Sequence, residues 1–240
     1  MEDEPFARAL RDHYRESRDE PLIQRDGEET LHHPIEEFYF GTRSPEEDSD
    51  SWLDSWLEGP LLDIGAGVGR DTLYFQRKFE TVAIEVSETL VQTMRERGVS
   101  DARKVDMFDL RTAFDSDRFQ SAVANGTQIG LAGSMTGLSE FLDDLAYITQ
   151  PDGTAVLDCY DPSEAGVEEL LGYRTDQTPG LAHRVMHFEY EGDVGPTLLF
   201  RLFSPDRLRE ATEDTPWQVA AVKRGDGDRS FYYQAVLSKS

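Results

Sequence analysis

The chain has 240 residues, with 48 acidic side chains against 24 basic ones and a formal net charge of −24. That length fits one α/β domain of generous size, or a domain plus a small appendage. So negative a surface argues against non-specific binding to nucleic acid or anionic membrane, both of which need positive surface.

The acids are spread along the whole chain, and lysine occurs only at Lys78, Lys104, Lys223 and Lys239. Such a surface stays soluble at high salt, where self-repulsion is screened. The chain therefore reads as a halophile's cytoplasmic protein. Cys159 is the only cysteine, so no intramolecular disulfide can form. The acidic stretch 1–5 lacks the apolar region of a signal peptide. No apolar run approaches the ~20 residues that span a bilayer. The expected partners include neither nucleic acid nor membrane.

In chain order, 6–16 reads as an amphipathic helix, with Phe6, Leu10 and Tyr14 four residues apart. Residues 41–51 read as a loop. Ser51 is then expected to cap a helix with Trp52, Leu53, Trp56 and Leu57 on one face. From Gly59 the texture changes. Strands are expected at 61–64, 81–85, 102–105, 119–124 and 154–159. Helices are expected at 70–78, 88–97 and 138–150, the last stopped by Pro151-Asp152-Gly153. Short apolar runs alternating with helical patterns indicate parallel βαβ units with helices on both faces of the sheet.

The tail differs. Runs 184–190 and 197–203 read as a hairpin, and Ser204-Pro205 opens a helix over 206–212. Strands at 217–223 and 231–238 close the chain. The division expected is an N-terminal helical or lid segment, 1–58, and a main domain, 59–240, with a hairpin insertion at about 183–203.

The sharpest motif is Asp63-Ile64-Gly65-Ala66-Gly67-Val68-Gly69. A strand ends, glycines permit a tight turn and close backbone approach, and a helix begins. A dinucleotide fingerprint puts its third glycine five positions after the first. Arg70 stands there, and the third glycine is Gly69. The acid at Asp63 suits a cationic ligand group better than a pyrophosphate. Glu85 ends the second strand, 22 residues after Asp63, where an acid can accept from both ribose hydroxyls. Asp106 follows the third strand and can accept from an exocyclic amine while Met107 covers a ring face. Asn125 follows the fourth strand, beside the point where connectivity reverses and ligands bind.

The stretch from Asp63 to Asp161 resembles the class I S-adenosylmethionine-dependent methyltransferases. Leu131-Ala132-Gly133-Ser134 before a helix, and Pro151-Asp152-Gly153-Thr154 before the fifth strand, are similar to the small-molecule members. The resemblance implies a doubly wound, mostly parallel seven-stranded sheet of order 3-2-1-4-5-7-6 with the last strand antiparallel. It implies S-adenosylmethionine as cofactor, with Asp63, Gly65, Ala66, Gly67, Gly69, Glu85, Val86, Asp106, Met107 and Asn125 around it. It carries over no catalytic residue and no metal site.

The acceptor is read mostly by exclusion. No N-P-P-Y-like run follows the fourth strand, and no Pro-Cys pair exists, so base methylation is disfavoured. No basic, aromatic-interleaved surface suggests RNA. A small molecule is the expected acceptor, methylated by direct in-line displacement. Candidate bases are His13, Tyr14, the His32-His33 pair, Tyr160 and Asp161. His183 and His187 lie four apart on a strand, too far for a two-histidine metal site. Cys159, Trp52 and Trp56 read as core. Two alternatives stay open: a non-catalytic S-adenosylmethionine-binding protein, and a nicotinamide-dependent oxidoreductase, which the place of the third glycine disfavours.

Overall fold

The computed structural model describes residues 4–43 and 48–239. Helix α1 (Pro5–Tyr14) starts on a proline, whose missing N–H costs nothing in the first turn. A hairpin of β1 (Ile23–Asp26) and β2 (Glu29–His32) follows. A π-helical turn, Glu36–Phe40, and α2 (Asp48–Asp54) lead into the main sheet.

That sheet is built from β3 (Leu61–Ile64), α3 (Arg70–Phe75), β4 (Thr81–Glu85), α4 (Glu88–Glu96) and β5 (Ala102–Lys104) on one side. On the other come α5 (Leu110–Ala113), β6 (Phe119–Ala124), α6 (Met135–Ile148) and β7 (Thr149–Tyr160). Then β8 (Tyr173–Thr175), β9 (Leu181–Tyr190), β10 (Asp193–Val194) and β11 (Leu198–Phe203) leave the sheet, and α7 (Pro205–Thr212), β12 (Trp217–Arg224) and β13 (Tyr232–Lys239) return to it.

The seven strands lie in the order β12-β13-β7-β6-β3-β4-β5. Counted along the main sheet, this is 3-2-1-4-5-7-6. The five contiguous strands β7, β6, β3, β4 and β5 are parallel, and β13 runs antiparallel to both β7 and β12. Alternation of side chains splits the core between two faces. Leu62, Ile64, Ala122, Ala155 and Leu157 pack with Leu142 of α6 and Leu208 of α7. Leu61, Val123 and Val156 pack with Leu53 of α2 and Phe75 of α3. Burial on both faces explains why these strands read as continuous apolar runs.

The expected loop at 41–51 and the cap at Ser51 need correction. Helix α2 already runs from Asp48, so Ser51 lies inside it, while 44–47 fall outside the described residues. Helix α3 closes at Phe75, earlier than the expected 78. Pro151-Asp152-Gly153 also does not separate helix from strand. Helix α6 ends at Ile148, and β7 runs through the tripeptide with a register shift against β6. Gly153 allows this, because a Cβ there would fall 2.8 Å from the Gln120 carbonyl oxygen.

The N-terminal segment is not simply helical, and the 184–203 region is more than a hairpin. Strand β9 pairs with β1, β8, β10 and β11, joining both regions in a six-stranded antiparallel sheet. Ala7 and Leu10 of α1, Leu22, and Met186 and Phe188 of β9 form one cluster with Val68 of the glycine loop and Leu90 of α4. This second layer covers the carboxyl edge of the main sheet. Among the described residues, no helix is long and apolar enough to cross a membrane.

Candidate functional site

The glycine loop joins β3 to α3. Gly65, Gly67 and Gly69 have φ of +65°, +59° and +80°, a region that L side chains rarely adopt. Gly69 is the residue preceding α3, with Val99 pressed against it. A Cβ on Gly65 would fall 2.5 Å from the Gln128 side chain, whereas one on Gly67 would sit 3.5 Å from the Tyr39 ring. Ala66 is half-buried and donates its N–H to the Ile84 carbonyl at 3.1 Å.

Asp63 is 3% exposed and faces α3. Thr72 donates to its Oδ2 at 2.5 Å. Burial, together with the negative charge of Asp71, raises the Asp63 carboxyl to about 7. Asp71 behaves oppositely. Burial works against its charge, but Arg70 and Arg43 hold it below the ordinary value, each within 3.2 Å. Asn125 adds a hydrogen bond to Asp71 Oδ2 at 2.6 Å. The loop thus has one firmly charged carboxylate, balanced within the protein, and one that is short of a cation.

Glu85, at the end of β4, turns back to the loop. Its carboxylate accepts from the N–H groups of Gly67 at 3.2 Å, Val86 at 2.8 Å and Ser87 at 3.2 Å. Burial still pushes its carboxyl upward. Val86 is 55% exposed beside it. Asp106 lies past β5 and accepts from the Phe108 N–H at 3.0 Å. Met107 is 6% exposed and packs into the core, while the neighbouring Phe108 is 41% exposed. Asn125 is engaged at both ends of its amide, since Gln234 also donates to it at 3.4 Å.

Asp158 closes the loop after β6. It accepts from the N–H groups of Gly126 and Thr127 and from the Tyr232 hydroxyl, within 3.0 Å, yet burial raises it to about 6. Asp161 is committed to a turn and to Arg224, at 2.8 Å. His13 pairs with Glu36 at 2.7 Å, and Tyr14 donates to the Glu96 carbonyl. These contacts fasten α1 rather than meet the loop. His187 bonds Glu189 at 3.1 Å, and His183 bonds Arg201. Cys159 is buried, with its thiol pushed up to about 12 by burial, which removes it as a nucleophile.

The sequence reading missed a polar chain in the covering layer. Arg184 donates from Nη2 to Gln24 Oε1 at 2.8 Å. Gln24 Nε2 meets His33 Nδ1 at 2.8 Å, and His33 Nε2 meets the Tyr39 hydroxyl at 3.0 Å. Burial and the Arg184 charge lower His33 to about 4, so it is neutral at pH 7. An arginine only donates, which fixes the direction of every bond. Gln24 accepts on oxygen and donates to Nδ1, so His33 carries its proton on Nε2 and donates to Tyr39. The Tyr39 hydroxyl proton is left to point elsewhere. Arg97 donates to the carbonyls of Val68, at 2.6 Å, and Tyr39, at 3.3 Å, tying this chain to the glycine loop.

One sequence signal was available for Arg184. It alternates with Ala182, Met186, Phe188 and Tyr190, all buried, so a cation sits on the inward face of β9.

No protein-family model matches the chain, and no curated protein matches it by sequence. Solved structures do match. A methyltransferase from Bacteroides fragilis, in complex with S-adenosylhomocysteine, superposes with a TM-score of 0.76 at 21% identity, covering 99% of this chain and 95% of that one. An amino pentose methyltransferase from Micromonospora echinaspora, with S-adenosylmethionine bound, gives 0.61 at 14% identity over 88% and 99%. A methyltransferase from Streptomyces caelestis gives 0.60 at 15% identity over 79% and 93%. The chain has the class I S-adenosylmethionine-dependent methyltransferase fold.

Proposed function

We propose that the protein is an S-adenosylmethionine-dependent methyltransferase acting on a small-molecule acceptor. The observation that carries this reading is the Glu85 carboxylate held 3.2 Å from the Gly67 N–H, at the mouth of a left-handed glycine turn. Fold likeness alone does not assign chemistry, so the fit rests on donors and acceptors. Glu85 suits a pair of ribose hydroxyls. Asp63, buried and short of a cation, suits the cofactor's ammonium. Asp106, with Met107 and Val86 nearby, suits adenine. Gly65, Ala66, Gly67 and Gly69 supply a backbone that a ligand can approach, and Asn125 holds Asp71 in place beside them.

When bound, S-adenosylmethionine supplies a methyl group on a sulfonium, which an acceptor's lone pair displaces in line. The chain's own task is positioning and exclusion of water. Helix α1, β1 and β9 form the cover, and Tyr39 lies against Gly67 between cover and loop. Two of the three likened enzymes described above were solved with a cofactor form bound, and one acts on an amino pentose. The first supports the cofactor and the second a small acceptor here.

Calorimetric titration in molar KCl with S-adenosylhomocysteine, and separately with NAD, tests the reading. Micromolar binding of the first alone is expected. Binding of NAD alone, or of neither ligand, sinks it.

A further inference from the structure

Arg184 stands out in a chain with two acids for every base. It is half-buried on the inward face of β9. Nε donates to the Leu171 carbonyl at 2.9 Å and Nη2 to Gln24 Oε1 at 2.8 Å. Among the described residues, Nη1 has no partner and no carboxylate pairs with the group. Two other part-buried arginines have a carboxylate, Arg43 with Asp71 and Arg201 with Asp176, while Arg97 is held by the Val68 and Tyr39 carbonyls.

Arg184 is linked to the Tyr39 hydroxyl through Gln24 and His33; burial lifts the Tyr160 hydroxyl, and the Arg184 charge opposes that rise. The Tyr160 hydroxyl has no hydrogen-bond partner among the described residues, and the Tyr39 hydroxyl has only His33, which donates to it. Tyr160 ends β7, and Tyr39 lies against Gly67. The two hydroxyl protons and the Nη1 amino group of the guanidinium thus have no partner among the described residues, at the carboxyl edge of the sheet next to the glycine loop. A half-buried cation without a counterion gains from a ligand that supplies the opposite charge.

We infer that the methyl acceptor is a carboxylate-bearing small molecule, and that Arg184, with the hydroxyls of Tyr39 and Tyr160, holds its carboxylate. This rests on the methyltransferase reading and narrows it to an acceptor class. One guanidinium balances one negative charge. A phosphate dianion would leave an excess beside Glu85 and Asp158, so the carboxylate is favoured.

The full chain is purified in molar KCl and titrated with S-adenosylhomocysteine as wild type, Arg184→Gln and Arg184→Lys. It is then incubated with labelled S-adenosylmethionine and a panel of amino, hydroxy and aromatic acids. Each acid is paired with its primary amide, and phosphate monoesters are included. Expected is methylation of carboxylate members only. Calorimetry on the S-adenosylhomocysteine complex should detect those acids and not their amides. Arg184→Gln should lower kcat/KM by roughly 100-fold, the scale of a lost partner in a buried charged pair. Arg184→Lys should restore part of that loss, and affinity for S-adenosylhomocysteine should change less than about twofold in both variants.

If Arg184→Gln weakens S-adenosylhomocysteine itself by tenfold, the anion is the cofactor's own carboxylate and the inference is overturned. Product only from amides, from phosphate esters or from no panel member overturns it as well. Failure of the wild type to bind S-adenosylhomocysteine counts instead against the methyltransferase reading.

Discussion

Thr72 donates its hydroxyl proton to Asp63 within the turn that opens α3, and this is the only side-chain hydrogen bond Asp63 receives among the described residues. One donor does not offset full burial beside a charged Asp71, so the Asp63 carboxyl rises to about 7. A carboxyl raised on folding binds its proton more tightly in the folded state. Its stabilising contribution is full below pH ~4 and is lost as pH climbs through about 7. The ligand-free protein should therefore melt lower at pH 8 than at pH 6, and Asp63→Asn should flatten that fall. The same variant should weaken S-adenosylhomocysteine at least tenfold, about 1.4 kcal/mol. A gain in stability with a loss of binding marks a residue strained for its ligand. If Asp63→Asn binds normally, the ammonium assignment is wrong.

Glu85 has two tasks, and they separate experimentally. It accepts from three backbone N–H groups, so it shapes the loop even without a ligand. Glu85→Gln keeps the size and one accepting oxygen but cannot accept on both sides. We expect at least tenfold weaker S-adenosylhomocysteine binding, with a melting temperature within a few degrees of wild type. Equal losses in both would assign Glu85 to the loop alone.

Much of this site was legible because the main sheet is buried on both faces. Leu61–Ile64 and Thr81–Glu85 announce themselves as apolar runs, and the glycines between them mark a tight turn that side chains could not follow. The covering layer gave no such signal. Strand β2 is exposed throughout, and β1 buries only Gln24. A polar hairpin lacks the alternation that marks a half-buried strand. Its one cue was Gly27, at φ +58° in a two-residue turn. Arg43, Asp71 and Arg184 were missed for another reason. Charged residues read as surface until a partner from a distant segment, such as Gln24 for Arg184, is in place.

Two glycines of the loop should fail in different ways. At Gly69 a Cβ would meet Val99 at 2.7 Å with φ at +80°, so Gly69→Ala should lower stability by more than about 1 kcal/mol. At Gly67 the nearest atom is 3.5 Å away, on the Tyr39 ring. Gly67→Ala meets backbone strain but no clash, and its added methyl stands where the ligand would approach. It should weaken S-adenosylhomocysteine at least tenfold for a smaller loss of stability. Thermal melts and calorimetry on both variants check the contrast, and identical profiles would contradict it.

The charge imbalance makes a separate claim. Pairs such as Arg111 with Asp143 and Asp144 lie at the surface, where each contributes little. They also leave an excess of acids, 48 against 24. Screening shortens the reach of that repulsion from about 10 Å at 0.1 M salt to about 3 Å at 1 M. The melting temperature should rise by at least ~5 °C between 0.1 and 2 M KCl, roughly 2 kcal/mol for a chain of this size. A melting temperature indifferent to KCl would remove the high-salt reading.

The chain from Arg184 through Gln24 and His33 to Tyr39 has one allowed direction, which gives the last prediction. His33 is lowered to about 4 by burial and by the Arg184 charge. A histidine lowered on folding contributes stability that is present above about 6.5 and is lost as pH falls toward about 4. At pH 7 its ring nitrogen shifts should report a neutral imidazole protonated on Nε2. Gln24→Ala removes the donor to Nδ1 and should release that tautomer, giving a mixture. Tyr39→Phe keeps the ring against Gly67 but deletes the hydroxyl, leaving the His33 Nε2–H without an acceptor, at a cost of about 1–3 kcal/mol. Its affinity for S-adenosylhomocysteine should fall less than about threefold, because the ring contact remains. A protonated or Nδ1–H histidine at pH 7 would break the directional argument, and with it the placing of a free hydroxyl proton beside the glycine loop.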